Sequence, residues 1–317
     1  MKRLLLLILC LCLCLSLCAC AETAEDPDRD ARLTVVTTVF PAWDFARQIG
    51  GERVRSLLLV PPGAESHSFE PTARDVLEIR SAALFFCNGG ESEAWVGQLL
   101  EGQDAPKETL VMLECVQALE EEVKEGMQKP FEEEEEGEEE GPEYDEHVWT
   151  SPVNALLICQ ALTERLCALD PEGETLYRSN LARYQGKLLE LDAAFRRTVA
   201  QAQGKTLVFA DRFPVRYFVE EYGLDYYAAF PGCADDAEPS ARTVAFLIDV
   251  VRDRKIPAVC TIEFSNQKMA EVIAEDTGCE ILPFHSCHNV SAEQFREGIS
   301  YLELMWGNVE TVKEALG

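Results

Sequence analysis

The chain contains four histidines, His67, His147, His285 and His288. Each of them follows a predicted strand or lies in a loop, and none falls within the apolar stripe of a predicted helix. A lone histidine is usually structural, but histidines gathered in loops from both halves of a chain suit a shared role. Transition metals bind neutral imidazole nitrogens that converge from separate segments, often together with a carboxylate. The histidines therefore predict a metal site.

Segments typical of strands and helices alternate through the rest of the chain. Alternation of this kind predicts mostly parallel sheets with helices on both faces. The predicted strands are residues 33–39, 54–60, 83–87, 206–210, 225–230, 258–263 and 280–284, and the predicted helices are 42–49, 72–81, 151–168, 214–222, 240–253, 267–277 and 292–316.

The clearest predicted helix runs from residue 174 to residue 202. Its apolar side chains recur at alternating steps of four and three, from Tyr177 to Phe195, and form one stripe. At 1.5 Å per residue such a helix is about 42 Å long, a length that suits a rigid strut. A coiled-coil dimer is the alternative, but the pattern extends over only about three heptads. We therefore expect a monomer.

The fold class that follows is α/β, with two α/β lobes joined by the long linking helix. The first lobe is expected at residues 32–172, the linking helix at 173–203 and the second lobe at 204–317. Ligands of such folds bind outside the carboxyl ends of the strands. The metal site is therefore expected in the cleft where the two lobes face each other.

The start of the chain predicts export. A positively charged beginning precedes an apolar run at residues 4–17, which is too short to span a membrane comfortably. The LCAC sequence that follows resembles a bacterial lipobox, which implies a signal peptide at 1–19 and lipid attachment to Cys20. A plain signal peptide and an uncleaved anchor are the alternatives. Each places the protein outside the cytoplasm, with 20–31 as a flexible tether.

The net charge of the chain indicates which classes of partner it suits. The formal net charge of −29 argues against nucleic acid and suits attraction of cations. Residues 120–146 contain dense runs of glutamate. Because like charges repel one another, these runs predict a mobile loop. The loop either gathers cations near the cleft or is a solvated insertion without a role.

The cysteines beyond residue 20 show no CxxC spacing and fall mostly within apolar runs. An exported protein is permitted to form disulfides. A free cysteine nevertheless behaves as a small buried hydrophobe, and we expect most of these side chains to be buried thiols. The sequence leaves the disulfide state open.

Residues 61–72 have the sequence PPGAESHSFEPT, and residues 145–152 have the sequence DEHVWTSP. The first resembles the PGADPHSFEPT-type motif, and the second the D-P-H-V-W-L-D-P motif, of the zinc and manganese solute-binding lipoproteins of metal ABC importers. Residues 39–51 resemble the first strand-to-helix turn of that family, so that the resemblance covers nearly the whole chain after the tether. It implies that His67 and His147 bind metal.

The second lobe departs from the family pattern. The family usually has a third histidine in an H-D-A-F-G-Y motif, but residues 208–214, VFADRFP, place Ala210 there. Alanine has no donor atom. The family's acidic fourth ligand follows the last strand, which here leads into His285 and His288. We expect His285 to replace the lost ligand, with His288 as the alternative and the Cys287 side chain turned away.

A carboxylate is expected to complete the site. Asp211 is adjacent to the lost position, and Glu263 ends a predicted strand. Glu263 is instead able to accept a hydrogen bond from a ligand histidine. The predicted metal ligands are therefore His67, His147, His285 and Asp211, with Glu263 and His288 as alternatives.

Three imidazoles and one carboxylate favour tetrahedral Zn²⁺, whereas Mn²⁺ prefers more oxygen ligands; manganese or iron remains the alternative. The resemblance implies a protein, not an enzyme, that passes the metal to an ABC permease and its ATPase subunit. A metallohydrolase is disfavoured because no H-E-x-x-H motif is present. A cleft for an organometallic ligand would not need histidines, and a surface adhesin would not exclude metal binding.

Overall fold

The computed structural model describes residues 32–65, 69–102, 106–128, 143–234 and 239–317. The predicted signal peptide, the tether with Cys20, and His67 lie outside these ranges. Residues Leu33–Gly317 form one compact unit. Within the described ranges, no helix has both the length and the apolar character needed to cross a bilayer.

The first lobe is built on a four-stranded parallel sheet. Its strand order is β2-β1-β3-β4, and β1 pairs with β2 from Leu33↔Val54 to Thr37↔Leu58. The strands are β1 (Leu33–Thr37), β2 (Val54–Leu58), β3 (Leu84–Cys87) and β4 (Thr109–Val111), and the helices are α1 (Phe40–Gly50), α2 (Ala73–Ser81), α3 (Ala94–Glu101) and α4 (Pro152–Leu169).

The second lobe repeats this plan in a second parallel sheet, with the strand order β6-β5-β7-β8. In each sheet the strand order reverses direction next to the first strand of the lobe. The carboxyl ends of the strands on either side of this point are where a crevice opens in such folds. The strands are β5 (Thr206–Phe213), β6 (Asp225–Pro231), β7 (Ala258–Thr261) and β8 (Glu280–Pro283), and the helices are α6 (Arg216–Tyr222), α7 (Ala241–Arg254), α8 (Lys268–Thr277), α9 (Ala292–Glu297) and α10 (Tyr301–Leu316).

The linking helix is α5 (Glu174–Gln201), which has 28 residues, and the predicted two-lobed architecture with one long helix is confirmed. It packs against α1 and α4 of the first lobe and against α10. One hydrophobic core extends along it from Phe45 of the first lobe to Phe284 of the second. Each large apolar side chain that is fully buried stabilises the fold by roughly 1.5–3 kcal/mol. Because this core contains side chains of both lobes, much of the stability of each lobe depends on the other.

Local sequence signals set several helix starts. The Thr72 hydroxyl accepts a hydrogen bond from Asp75 N–H while the Asp75 side chain accepts one from Thr72 N–H, which forms a capping box at α2. The Ser151 hydroxyl accepts from Asn154 N–H and caps α4, with Pro152 in its first turn. The Ser151 cap fixes where the loop that contains His147 ends.

The prediction of one continuous last helix at 292–316 is wrong, because two helices occupy that stretch. Gly298 adopts a left-handed conformation, with φ of 77°, and ends α9. Ser300 and Glu303 then form a capping box that starts α10. The apolar periodicity continued across this break, and only the Gly298 and Ser300 signals marked it.

Two short elements were not predicted, and one strand is longer than expected. Helix α3 and strand β4 were missed because each is short and has weak periodicity. Strand β5 extends three residues beyond the predicted end at residue 210, through a register shift between Phe209 and Arg212. A bulge of this kind redirects the strand next to the cleft.

The described residues at the start of the acidic stretch contact the second lobe, and the mobility predicted for 120–146 stays a prediction. The Glu121 carboxylate accepts a hydrogen bond of 3.0 Å from Cys233 N–H, and Lys124 Nζ lies 2.7 Å from Asp225 Oδ1. Residues 129–142 lie outside the described ranges. Charged groups of Glu121 and Lys124 thus attach the start of this stretch to the second lobe.

All eight cysteines of the described ranges are free thiols. Burial raises the pKa of the Cys87, Cys159 and Cys287 thiols well above the usual value and that of Cys260 to about 12, which keeps them protonated and unreactive. The prediction of buried thiols is confirmed for Cys87, Cys159, Cys167, Cys260 and Cys287, whereas Cys115, Cys233 and Cys279 are half-buried.

Candidate metal site

His147 lies in the loop that precedes α4, and its side chain is fully buried. Asp145 Oδ1 lies 2.8 Å from His147 N and 3.2 Å from His147 Nδ1. A ring whose Nδ1 hydrogen faces a carboxylate keeps the lone pair on Nε2, which is the arrangement of many metal-binding histidines. Burial, the largest single influence, disfavours the imidazolium, but the charge and hydrogen bond of Asp145 together with the charges of Glu146 and Glu121 outweigh it and raise the pKa of His147.

His288 lies in the loop after β8, and the structure brings it to His147 from the opposite lobe. The two ring centroids are 5.2 Å apart with an interplanar angle of 88°. The His288 ring also lies 5.0 Å from the Trp149 ring, and Phe40 N–H donates to the His288 carbonyl over 3.3 Å. Main-chain and ring contacts with the first lobe therefore fix His288 beside His147.

His285 is arranged differently. Its Nδ1 accepts a hydrogen bond of 3.0 Å from Cys287 N–H. A neutral ring that accepts at Nδ1 carries its hydrogen on Nε2, and His285 Nε2 is buried without a hydrogen-bond partner in the described part of the chain. The distance of 3.6 Å between Nδ1 and Glu263 Oε2 exceeds that of a hydrogen bond. His285 is not among the residues that line the cavity around His147 and His288.

The two candidate carboxylates lie at the ends of adjacent strands of the second sheet. Asp211 Oδ1 accepts from Arg212 N–H over 2.8 Å, and burial raises the pKa of Asp211. Asp211 lines a wider cleft but not the cavity that contains the histidines. Glu263 borders both, and its two oxygens accept from Ser286 N–H, over 2.7 Å, and from the Ser286 hydroxyl.

His147 and His288 share a cavity of about 30 Å³ between the lobes, together with Glu65, Arg212 and Glu263. This volume is about that of one water molecule, which suits a single ion. In the part of the chain that the structure covers, no three histidine, cysteine or acidic side chains are close enough to bind one ion. A complete site therefore needs a donor from elsewhere.

The described residues that precede His67 in the sequence are hydrogen-bonded to the second lobe. Asn289, adjacent to His288, donates its amide hydrogens to the carbonyls of Pro61, at 2.9 Å, and Ala64, at 2.8 Å. These bonds attach the loop that precedes His67 to the second lobe. Sequence reasoning did not single out Asn289, because an asparagine beside a histidine carries no signal of a contact more than two hundred residues away.

Aromatic residues that the sequence analysis did not assign connect the loops on either side of the cavity. Trp149 Nε1–H donates to the Ser286 carbonyl over 2.8 Å, and the Tyr301 hydroxyl donates to the Trp149 carbonyl over 2.7 Å. The Tyr217 hydroxyl donates to the Asp145 carbonyl over 2.8 Å. The D-E-H-V-W motif contained Asp145 and Trp149, but their roles depend on partners in the other lobe.

A buried carboxyl group lies behind the histidine loop. Glu93 Oε2 accepts hydrogen bonds of 2.9 and 2.8 Å from the N–H groups of Asn88 and Gly89. Burial raises the pKa of Glu93 from 4.5 to about 7, although these bonds oppose the shift. The nearby Glu146 carboxylate raises it further.

We expect Glu93→Gln to stabilise the protein at pH 8 by about 1–3 kcal/mol and to change little at pH 4.5. Between 4.5 and about 7 the unfolded carboxyl ionises while the folded one stays protonated, so the free energy of unfolding falls as pH rises. Glutamine mimics the protonated form and removes that loss. Urea denaturation at the two pH values measures it, and an equal effect at both would contradict the assignment.

The comparisons with known proteins agree with this architecture. A family model described as "ZnuA: Zinc-uptake complex component A periplasmic" matches residues 35–315. The crystal structure of the Zn(II)-bound ZnuA-like domain of Streptococcus pneumoniae AdcA superposes with a TM-score of 0.74 at 28% identity, covering 90% of this chain and 99% of that one.

Curated relatives match over the same stretch. The zinc-binding lipoprotein AdcA of Streptococcus pneumoniae (strain ATCC BAA-255 / R6) is 31% identical over 291 residues, which are 90% of this chain and 56% of that protein. The high-affinity zinc uptake system protein ZnuA of Bacillus subtilis (strain 168) is 28% identical over 289 residues, covering 90% and 88%. The chain thus spans little more than half of the pneumococcal relative. It belongs to the family of zinc-uptake complex component A.

Proposed function

We propose that this protein captures Zn²⁺ outside the cytoplasm and delivers it to an ABC permease and its ATPase subunit. The single observation that carries the proposal is the pair of His147 and His288 rings, 5.2 Å apart and contributed by opposite lobes. The zinc-binding and zinc-uptake names of the relatives support the same function. The metal is cargo, and the protein itself is not an enzyme.

The ligands we propose are His147 and His288, with His67 as the third. This set prefers His288 over His285, because Nδ1 of His285 already accepts the Cys287 N–H and because His288 shares the cavity with His147. Glu263 borders that cavity and is the nearer of the two candidate carboxylates. Asp211 remains the more distant candidate.

Zinc is favoured over manganese by the chemistry of these donors. Imidazole nitrogens suit Zn²⁺, whereas Mn²⁺ prefers carboxylate, carbonyl and water oxygens. The Asp145 carboxylate that accepts from His147 Nδ1 increases the basicity of the ligand nitrogen. We further propose that the protein acts as a monomer anchored to the outer face of the membrane by lipid on Cys20.

Competitive titration with zinc and manganese tests the binding site. We expect the folded unit Leu33–Gly317 to bind one zinc ion in preference to manganese, and His147→Ala to weaken zinc binding at least about 100-fold, because losing even an outer partner of a ligand costs 10–100-fold. Tyr144→Ala, an exposed change in the same loop, is the matched control. Unchanged affinity in His147→Ala would rule out the proposed site.

A further inference from the structure

A second and much larger cavity adjoins the one that contains the histidines. It measures about 650 Å³ and shares Glu65, Arg212 and Glu263 with the smaller cavity. Cavities that bind small organic molecules measure about 300–1,000 Å³. A single metal ion leaves nearly all of this cleft unfilled, so the cleft has room for a small molecule beside the ion.

The wall of this cleft has the polar groups that would orient such a molecule. The largely buried Asp211 carboxylate is held by hydrogen bonds from Arg212 N–H, Ser265 and Ile262, and its oxygens have the capacity to accept a further hydrogen bond. Arg212 and Lys268 place two cationic groups in the lining beside acidic ones. A guanidinium binds carboxylates in a bidentate manner. Mixed charges of this kind suit a molecule that has both a carboxylate and an amine.

The loop that forms one side of the cleft is strained. Phe264 has φ of 64° and Gln267 has φ of 58°, and a bulky residue rarely adopts this left-handed conformation. The Phe264 ring is 57% exposed at the mouth of the cleft. Strain of this kind clusters at ligand clamps, and an aromatic ring here offers a planar side chain a surface to pack on.

Among the described residues, no three histidine, cysteine or acidic side chains are close enough to bind one ion, and Ala210 in the wall of the cleft has no donor atom. The ligand set proposed above has three histidines. A closed structural zinc site has four protein ligands, whereas a site with fewer leaves positions for an outside ligand. The cleft is where that ligand would lie.

We propose that the protein binds zinc together with one free amino acid whose side chain coordinates metal, of the histidine or cysteine type. This inference rests on the proposed function. The amino nitrogen, after releasing its ammonium proton to water, and either the side-chain nitrogen of histidine or the sulfur of cysteine, after its thiol proton is also released to water, coordinate zinc. The carboxylate pairs with Arg212, and an amine N–H donates to Asp211 Oδ2. The transported species is then a zinc–amino acid complex.

Native mass spectrometry of the folded unit Leu33–Gly317 tests the proposal, with zinc alone, zinc with L-histidine and zinc with L-cysteine. We expect a complex of one protein, one zinc and one amino acid with at least one of the two, and none when zinc is omitted. Protein with zinc alone in both mixtures, or removal of the zinc by the amino acids, overturns the proposal. Absence of zinc binding in every sample would instead refute the proposed function.

A cavity-filling variant locates the amino acid. Val244 on α7 lines the wider cleft but not the cavity with the histidines. We expect Val244→Trp to weaken amino acid binding to the zinc-loaded protein at least tenfold, while zinc affinity in the absence of amino acid changes less than twofold. Ala245→Trp adds the same bulk at an exposed position of that helix and should bind both normally. Equal amino acid affinity in the two variants would exclude the cleft.

Discussion

His288→Asn is expected to weaken zinc binding at least about 100-fold, whereas His285→Asn is expected to change it less than about threefold. The His288 ring faces His147 inside the cavity, while His285 Nδ1 accepts a hydrogen bond from Cys287 N–H. An asparagine at 285 keeps that bond, because its side-chain oxygen accepts from an N–H two residues ahead. Removing its imidazole therefore tests only metal binding.

Zinc titration of the two variants and the wild type measures the change in zinc affinity. Thermal unfolding of the metal-free proteins is the control for folding. Similar unfolding temperatures are expected, because each substitution exchanges one polar ring for a smaller polar group. The reverse pattern, in which His285→Asn loses zinc and His288→Asn keeps it, would restore the ligand set that the sequence favoured. Loss in both would indicate that the whole loop after β8 has moved.

Asp44→Ala is expected to destabilise the protein by about 1–3 kcal/mol, because it leaves the buried Tyr301 N–H without its acceptor; the partly exposed Arg47 guanidinium adds little to this loss. The Asp44 carboxylate is fully buried. Its Oδ1 lies 2.6 Å from Arg47 Nη2, and its Oδ2 accepts from Tyr301 N–H over 3.0 Å at the start of α10. Arg47 in turn donates to the carbonyls of Gly298 and Ile299, both over 3.3 Å. The carboxylate thus joins α1 to the turn before α10.

Urea denaturation measures this loss. Asp249→Ala is the matched control, since the Asp249 side chain is 72% exposed in its pair with Arg252, and such pairs contribute about 0–1 kcal/mol. We expect Asp44→Ala to weaken zinc binding slightly as well. The Tyr301 hydroxyl donates to the Trp149 carbonyl, and Trp149 Nε1–H donates to the Ser286 carbonyl beside the histidine loop. A loss no larger than that of Asp249→Ala would show that the buried network is not a major source of stability.

The continuous core explains why the two lobes of this protein should move little against each other. Phe45, Phe195 and Phe284 belong to one cluster that spans both sheets and the linking helix. A wide hinge motion would expose part of that surface to water, at a cost of about 25 cal/mol for each Å². We therefore expect the cleft to be largely preformed, with its side chains in similar positions when metal is bound.

The sequence by itself determined the alternation of strands and helices, the two lobes and the long linking helix. These features depend on local chemistry, namely the period of the apolar side chains and the residues that start and stop helices. The same signals placed all of the described histidines in loops. They failed at Gly298, where the apolar pattern continued across a break, and at α3 and β4, which are too short for a clear period.

Only the tertiary structure decided which histidine after β8 faces the other lobe. His285 and His288 are three residues apart in a segment without regular periodicity, and Cys287 between them adopts φ of 63°, which turns the chain. The contact of His288 with His147, and that of Asn289 with the loop before His67, join residues far apart in the sequence. Such contacts arise from how the lobes pack, and local sequence patterns do not encode that packing.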